Sequence, residues 1–332
     1  MAWDGVRAAK SLHEADLLTR ENVVGVAVGH KVVRGQETDE KCIVVFVDRK
    51  MSLEELKKRD RVPPSLEGVR TDVVETGRFT ALSMVEPLRV SRTTRIRPAP
   101  GGVSIAHFKV TAGTLGVRAT RRGLGPVILS NNHVLANSNE AAAGDWILQP
   151  GPIDGGRLED AIAKLVDFVP IAFTERQLGP FGRFMEWGLS PVLARVGLAL
   201  RRLPSDKTNL VDCAIARPLN EDDVSPEILE IGRVAGTAEP ELGLRVRKSG
   251  RTTGRTEGRI TAMDAVVEVD YGGKTAMFRQ QIVADGMSKG GDSGSLVVDE
   301  ANRAIGLLFA GSTNTTLMNP IDAVLKILDL SL

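Results

Sequence analysis

The stretch 287-MSKGGDSGSLVV-298 decides how the chain reads. Its core, GGDSGS, sets three glycines, an aspartate and two serines directly ahead of an apolar strand. Glycine permits positive φ and a close backbone approach. Such a turn can hold one hydroxyl up and leave backbone N–H groups facing a cleft. A plain hairpin loop would use the same residues, so the decision passes to what lies upstream.

Two upstream segments match. In 125-GPVILSNNHVLAN-137, His133 follows an apolar strand, and in 209-NLVDCAIARP-218, Asp212 sits in an apolar, strand-like run. A carboxylate there is costly unless a partner stabilises it, and an imidazole N–H is such a partner. Asp160, in 157-RLEDAIAKL-165, has a similar setting and is the rival; Asp212 is preferred because its segment reads more clearly as a strand. In the order His133, Asp212, Ser293 the residue types complement one another. A serine hydroxyl is a weak nucleophile at neutral pH. An imidazole can take its proton, and a carboxylate can fix the imidazole tautomer and steady the imidazolium. The N–H groups of Gly291 and Ser293 would face a developing oxyanion.

The rest of the chain bounds these readings. It has 332 residues, 42% hydrophobic and 26% charged, an ordinary globular balance with room for about two domains. A formal net charge of +1 and 4% aromatics supply neither the field nor the stacking surface of a nucleic-acid binder. Cys42 and Cys213 lie in apolar runs and read as buried thiols, not a disulfide framework. There is no HExxH and no Cys/His pair spacing, so neither metal nor cofactor is expected. The first twenty residues carry acids and no apolar h-region, which reads as a cytoplasmic chain; the Asn314 sequon then has no meaning.

Residues 1–87 read as a small α+β domain: a helix near 5–20, strands in 22-NVVGVAVGHKVV-33 and 41-KCIVVFVDRK-50 with a polar turn between them, a helix opened by a Ser52/Glu55 capping box, and a strand in 69-VRTDVVETG-77. Residues 88–102 read as a basic linker ending in Pro and Gly. From 103 to 332 many short apolar runs alternate with Gly-rich turns, the pattern of a barrel or sandwich. The apolar, helically spaced segment 168–204 interrupts it. Arg183, Glu186 and Arg195 keep it short of a bilayer span. It suits a cover over a cleft, a contact for self-association, or an interfacial membrane helix. The segment 250-GRTTGRTEG-258 lacks the Lys-Ser/Thr ending of a phosphate loop and reads as a Gly-turned hairpin.

LSNNHVLA, VDCAIA and GGDSGS together resemble the three active-site segments of chymotrypsin/trypsin-fold serine peptidases, in that family's order. GGVSIAHFKVTAGTLG and VRKSGRTTGRTEGRI resemble its cytoplasmic bacterial branch and the plant Narrow Leaf proteins, and NPIDAVLKIL resembles Deg-type relatives. The resemblance covers about 100–332. It implies a mainly β fold of two six-stranded antiparallel barrels with the triad in the cleft between them, protein or peptide substrates, and an acyl-enzyme. The 79 residues between His133 and Asp212 are more than typical secreted members have, and the 168–204 insertion accounts for them. The resemblance puts Met287 at the base of the substrate pocket and Phe309, Ala310 and Gly311 in its wall, and so a small or apolar residue before the scissile bond. It also leaves Asp292, whose partner in secreted members is an amine freed by cleavage, without an evident activation sequence. A catalytically silent binding protein on the same fold is the alternative, and a self-processing enzyme is a third reading.

Overall fold

The computed structural model describes residues 2–81, 91–174 and 208–332, and these are mainly β with few helices. The segment expected to be helical, 168–204, lies mostly outside the described residues. Among the described residues no helix is long and apolar enough to cross a membrane.

The N-terminal part follows its sequence in most respects. The first helix is Trp3–Leu18, and its buried Val6, Ala9 and Leu17 pack on Val26, Val28, Ile43 and Val45 of two strands, Val23–Val33 and Gln36–Val47. These strands form a hairpin whose turn is tighter than the polar run suggested. Only Arg34 and Gly35 turn, both at positive φ (54° and 80°), as a two-residue hairpin turn requires. The helix expected from Ser52 does not form. The capping box closes, with Ser52 N–H donating to Glu55 Oε2 at 2.8 Å, but the chain then continues in turns and one 3-10 turn, Lys58–Asp60. The Arg61 side chain donates to the carbonyls of Leu53 and Leu56, competing for acceptors that a helix would use. Pro63 and Pro64 then bar any continuation.

The described residues build two large sheets and a small one of three strands. The first large sheet has eight strands, centred on Val117–Arg121, Gly125–Ser130, Ala214–Pro218 and Ala161–Phe168. Backbone bonds from Gly116 N–H to Leu129 and from Leu115 N–H to Val103 draw its far end back toward its start. The second has eleven strands. Six of them, Arg245–Gly250, Leu296–Asp299, Ala304–Gly311, Thr315–Pro320, Thr275–Asp285 and Gly254–Asp270, pair in a cycle, because the first also pairs the last. The strand Val23–Val33 pairs antiparallel with Gly254–Asp270, so the N-terminal strands extend this same sheet.

The two large sheets meet at polar clasps as well as apolar surfaces. Arg251 is the largest fully buried side chain among the described residues, and its Nε donates to Asp154 Oδ2 at 2.7 Å in a bidentate pair. Ser104 Oγ donates to the same carboxylate at 2.6 Å. Both ends of the ion pair have no exposed side-chain surface. Cys42 and Cys213 are free and buried, as expected, and burial pushes the Cys42 thiol up to about 12. His107 is also structural. Its Nδ1 accepts from Lys109 N–H, which assigns the proton to Nε2 facing Asp145 at 3.1 Å; burial lowers its pKa.

Asp154→Ala removes the carboxylate of a buried guanidinium. It should lower the stability to urea by about 3–5 kcal/mol, and Asp154→Leu/Arg251→Met should recover much of that loss. Tryptophan-fluorescence melts of the three proteins measure both effects.

Candidate active site

Three segments converge from different parts of the fold. Asn132–Leu135 is a single helical turn directly after the strand Gly125–Ser130, and it carries His133. Asp212 lies just before the strand Ala214–Pro218 rather than inside it; its N–H donates to Asn319 Oδ1 at 3.0 Å and its carbonyl accepts from Asn131 Nδ2 at 2.7 Å. Ser293 lies in the turn ahead of Leu296–Asp299.

The structure brings His133 and Asp212 together. His133 Nδ1 is 2.6 Å from Asp212 Oδ2, and His133 N–H reaches Oδ1 of the same carboxylate at 3.3 Å. Asp212 has no exposed surface and His133 is 4% exposed. His133 Nε2 is buried with no hydrogen-bond partner among the described residues. The rival, Asp160, accepts from Arg157 N–H at 3.0 Å and faces Arg95 at 3.3 Å. Ser293 is not hydrogen-bonded to His133: its Oγ donates to the Phe309 carbonyl at 3.1 Å, and the residue is fully buried.

The turn that carries Ser293 is shaped by contacts no glycine count reveals. Gly291 and Gly294 both take φ of 93°. A Cβ on Gly294 would stand 2.4 Å from the Thr114 carbonyl, so only glycine fits there. Thr114 ties the turn to the first sheet: its N–H donates to Ser293 O and its Oγ1 to Gly291 O, each at 2.8 Å. The N–H groups of Gly291 and Ser293 donate to no acceptor among the described residues.

Asp292 has a socket that the sequence did not disclose. Its buried carboxylate accepts from Lys248 Nζ at 3.2 Å, Thr252 N–H at 2.9 Å, Thr253 N–H at 3.1 Å, Thr253 Oγ1 at 2.6 Å and Lys289 N–H at 3.0 Å. Lys248, Thr252 and Thr253 belong to 248-KSGRTTG-254, the hairpin read from the glycines. Gly250 is needed because a Cβ there would meet Asp292 Oδ1 at 2.4 Å. Burial lowers the Lys248 pKa, and the Asp292 charge opposes that shift.

Tyr271 is the second residue that sequence reading missed. It stands at the tip of the long hairpin Gly254–Asp270/Thr275–Asp285, and its hydroxyl donates to Asp212 Oδ2 at 2.8 Å. Its ring meets His133 edge-on, with centroids 5.8 Å apart, and also packs on Phe173 and Phe278. Burial, then the Asp212 charge, raises its pKa, so it stays a donor. Nothing in YGG, a tip sequence, marks this role; only the fold brings it to Asp212.

The residues assigned to a pocket separate into two groups. Met287 and Gly311 line a cleft of about 640 Å³ with Ser288, Lys289 and Gly290, whose other wall is Thr76, Gly77, Arg78 and Thr80. Phe309 and Ala310 are wholly buried, Phe309 against Phe278 with ring centroids 4.8 Å apart. Among the described residues no cluster of side chains could hold a metal ion.

With that geometry in place, comparison with known proteins gives three findings. The family model described as the NARROW LEAF 1 N-terminal domain matches residues 6–75. Among solved structures the chain is similar to Nocardiopsis protease (NAPase; 18% identity, TM-score 0.44, 70% of this chain and 97% of that one). It is similar also to Thermobifida fusca protease A (16%, TM-score 0.45, 70% and 96%) and Cellulomonas bogoriensis chymotrypsin (18%, TM-score 0.42, 70% and 97%). No curated protein matches the chain.

The hydrogen bonds around Asp212 and Asp292 are open to test. Tyr271→Phe keeps the ring and removes one bond to a carboxylate. It should slow reaction of Ser293 with an active-serine probe by about tenfold, with unchanged circular dichroism. Because burial lowers the Lys248 pKa, the folded protein loses that proton at a lower pH than an exposed lysine would. Reactivity should therefore fall on the alkaline side below pH 10.5, and Lys248→Arg should move that limb upward; a pH profile of probe labelling reads both.

Proposed function

We propose that the chain is a serine endopeptidase acting through His133, Asp212 and Ser293. The observation that carries this reading is the buried 2.6 Å contact between His133 Nδ1 and Asp212 Oδ2, with Nε2 left unpartnered. An imidazole whose Nδ1 proton is held by a carboxylate has its Nε2 lone pair ready to accept a proton. In the proposed reaction Ser293 Oγ leaves the Phe309 carbonyl, attacks a peptide carbonyl carbon and gives its proton to His133 Nε2. The tetrahedral oxyanion is met by the Gly291 and Ser293 N–H groups. His133 then returns the proton to the leaving amine as the C–N bond breaks, and water, deprotonated by the same imidazole, hydrolyses the acyl ester.

Several finer assignments belong to this reading. The cyclic pairing of six strands supports one closed barrel, and the returning bonds at Gly116 and Leu115 support a second. Residues 1–87 are assigned as a regulatory or pro-domain joined by a linker, 88–102, to a peptidase domain, 103–332, and self-processing between them is part of the proposal. The apolar Met287 supports a small or apolar residue before the scissile bond. The buried Lys248 supports a nucleophile turn organised without a cleavage-generated amine. Two free, buried thiols fit a reducing, cytoplasmic compartment.

One observation favours the second reading, a silent binding protein. The Ser293 hydroxyl is engaged by the Phe309 carbonyl, and Ser293 has no exposed surface. A small fluorophosphonate, read by intact mass, separates the two. The enzyme reading expects one adduct on the native chain and none on Ser293→Ala. Absence of an adduct on both would leave the binding reading.

A further inference from the structure

The strand Ala304–Gly311 runs from the core to the nucleophile and has two edges. One is filled by Thr315–Pro320, with Ala310 opposite Leu317 and Gly311 opposite Thr316. The other is filled by Leu296–Asp299 only as far as Leu307. Past that point this second edge belongs to the active site: the Phe309 carbonyl takes the Ser293 hydroxyl, and the next two residues, Ala310 and Gly311, are left to pair with something else. An unfilled edge beside a nucleophile is where an extended peptide can add as a strand, with backbone bonds giving affinity and side-chain pockets giving choice.

That edge is already occupied, and by the chain itself. Phe79–Ala81 pairs antiparallel with it, Ala81 opposite Ala310 and Thr80 opposite Gly311. Thr80 Oγ1 also donates to the Gly311 carbonyl at 3.4 Å. Phe79 anchors the segment: it is 1% exposed, belongs to the cluster that holds Phe278 and Phe309, and meets Phe46 edge-on at 5.8 Å. On its other side the segment pairs with Val269 and Asp270, next to Tyr271. The same N-terminal region, Thr76 to Thr80, forms one wall of the cleft that Met287 and Gly311 line. Ser293 meanwhile has no exposed surface.

We propose that Phe79–Ala81 is an internal competitor for extended peptides, seated on the Ala310–Gly311 edge so that the resting chain is closed to them. The inference rests on the peptidase reading for its consequence. Its partner is an unfolded or extended segment bearing a small residue opposite Ala310, as Ala81 is, which is 7% exposed. The contact is short, three residues of strand with two register pairs on that edge. A tethered segment nevertheless acts at an effective concentration of order mM, enough to exclude weak peptides. Displacement of Phe79–Ala81 is then the opening event.

The test uses the full chain, two probes and two readouts. A small fluorophosphonate reads Ser293 alone. A tripeptidyl chloromethyl ketone must also lie on the Ala310–Gly311 edge. Ala81→Pro disfavours the docked strand, and the ratio of peptidyl to small-probe rates should rise about tenfold or more over the native chain, in line with loss of a tethered competitor. An unchanged ratio would overturn the inference. Hydrogen exchange gives the second readout. On Ser293→Ala, a synthetic Phe-Thr-Ala-Leu peptide in excess should raise exchange at 79–81 while 310–311 stays protected. No change at 79–81 would mean that the segment is a permanent strand. If the small probe never labels Ser293, the peptidase reading fails, and the exchange experiment still decides the strand.

Discussion

A buried carboxylate, Asp292, organises the turn that carries Ser293 and the hairpin packed against it. A buried ion left unsatisfied is expensive, so the chain around Asp292 is committed to meeting it. Three backbone N–H groups, a hydroxyl and an ammonium do so, and four of these five donors come from one hairpin, 248-KSGRTTG-254. That demand fixes the local sequence. Gly250 must lack a side chain to let the carboxylate in, and Gly291 and Gly294 must take positive φ to carry the backbone past it. The amides on either side of Asp292 are thereby held away from internal acceptors.

The same hairpin serves the contact between the sheets. Arg251, one residue before Thr252, turns the other way, into Asp154 of the 3-10 turn Pro152–Asp154. Its own N–H donates to Thr114 Oγ1, which in turn donates to Gly291 O. A single hydroxyl thus links the hairpin, the first sheet and the turn that carries Ser293. His133 and Asp212 come from the first sheet's side and Ser293 from the second. Their relative position is held by this clasp together with the bonds of Asp212 to Asn319 and Tyr271.

How much of this could be read in advance divides along physical lines. The strands around residues 23–47 and 69–75, the two buried thiols and the mainly β character were legible because alternation and apolar runs report burial directly. His133 next to Asp212 was legible because the combination of segments was specific. The Ser52–Glu55 capping box misled: it is a local signal, and Arg61 competes successfully for the carbonyls. Lys248 and Tyr271 were not legible at all. Each sits in a segment whose local pattern is satisfied by a hairpin, and each matters only through a partner 44 or 59 residues away.

Tyr271 and Phe79–Ala81 share a cause. Both are attached to the end of Gly254–Asp270, a strand of 17 residues that outruns the six-strand cycle and carries the N-terminal hairpin on its extension. A strand lengthened only to pair with the N-terminal hairpin would need neither contact. This one places the Tyr271 hydroxyl on Asp212 on one side and holds Phe79–Ala81 against Ala310 and Gly311 on the other. The N-terminal strands and the residues around His133 and Asp212 are therefore joined through one continuous strand.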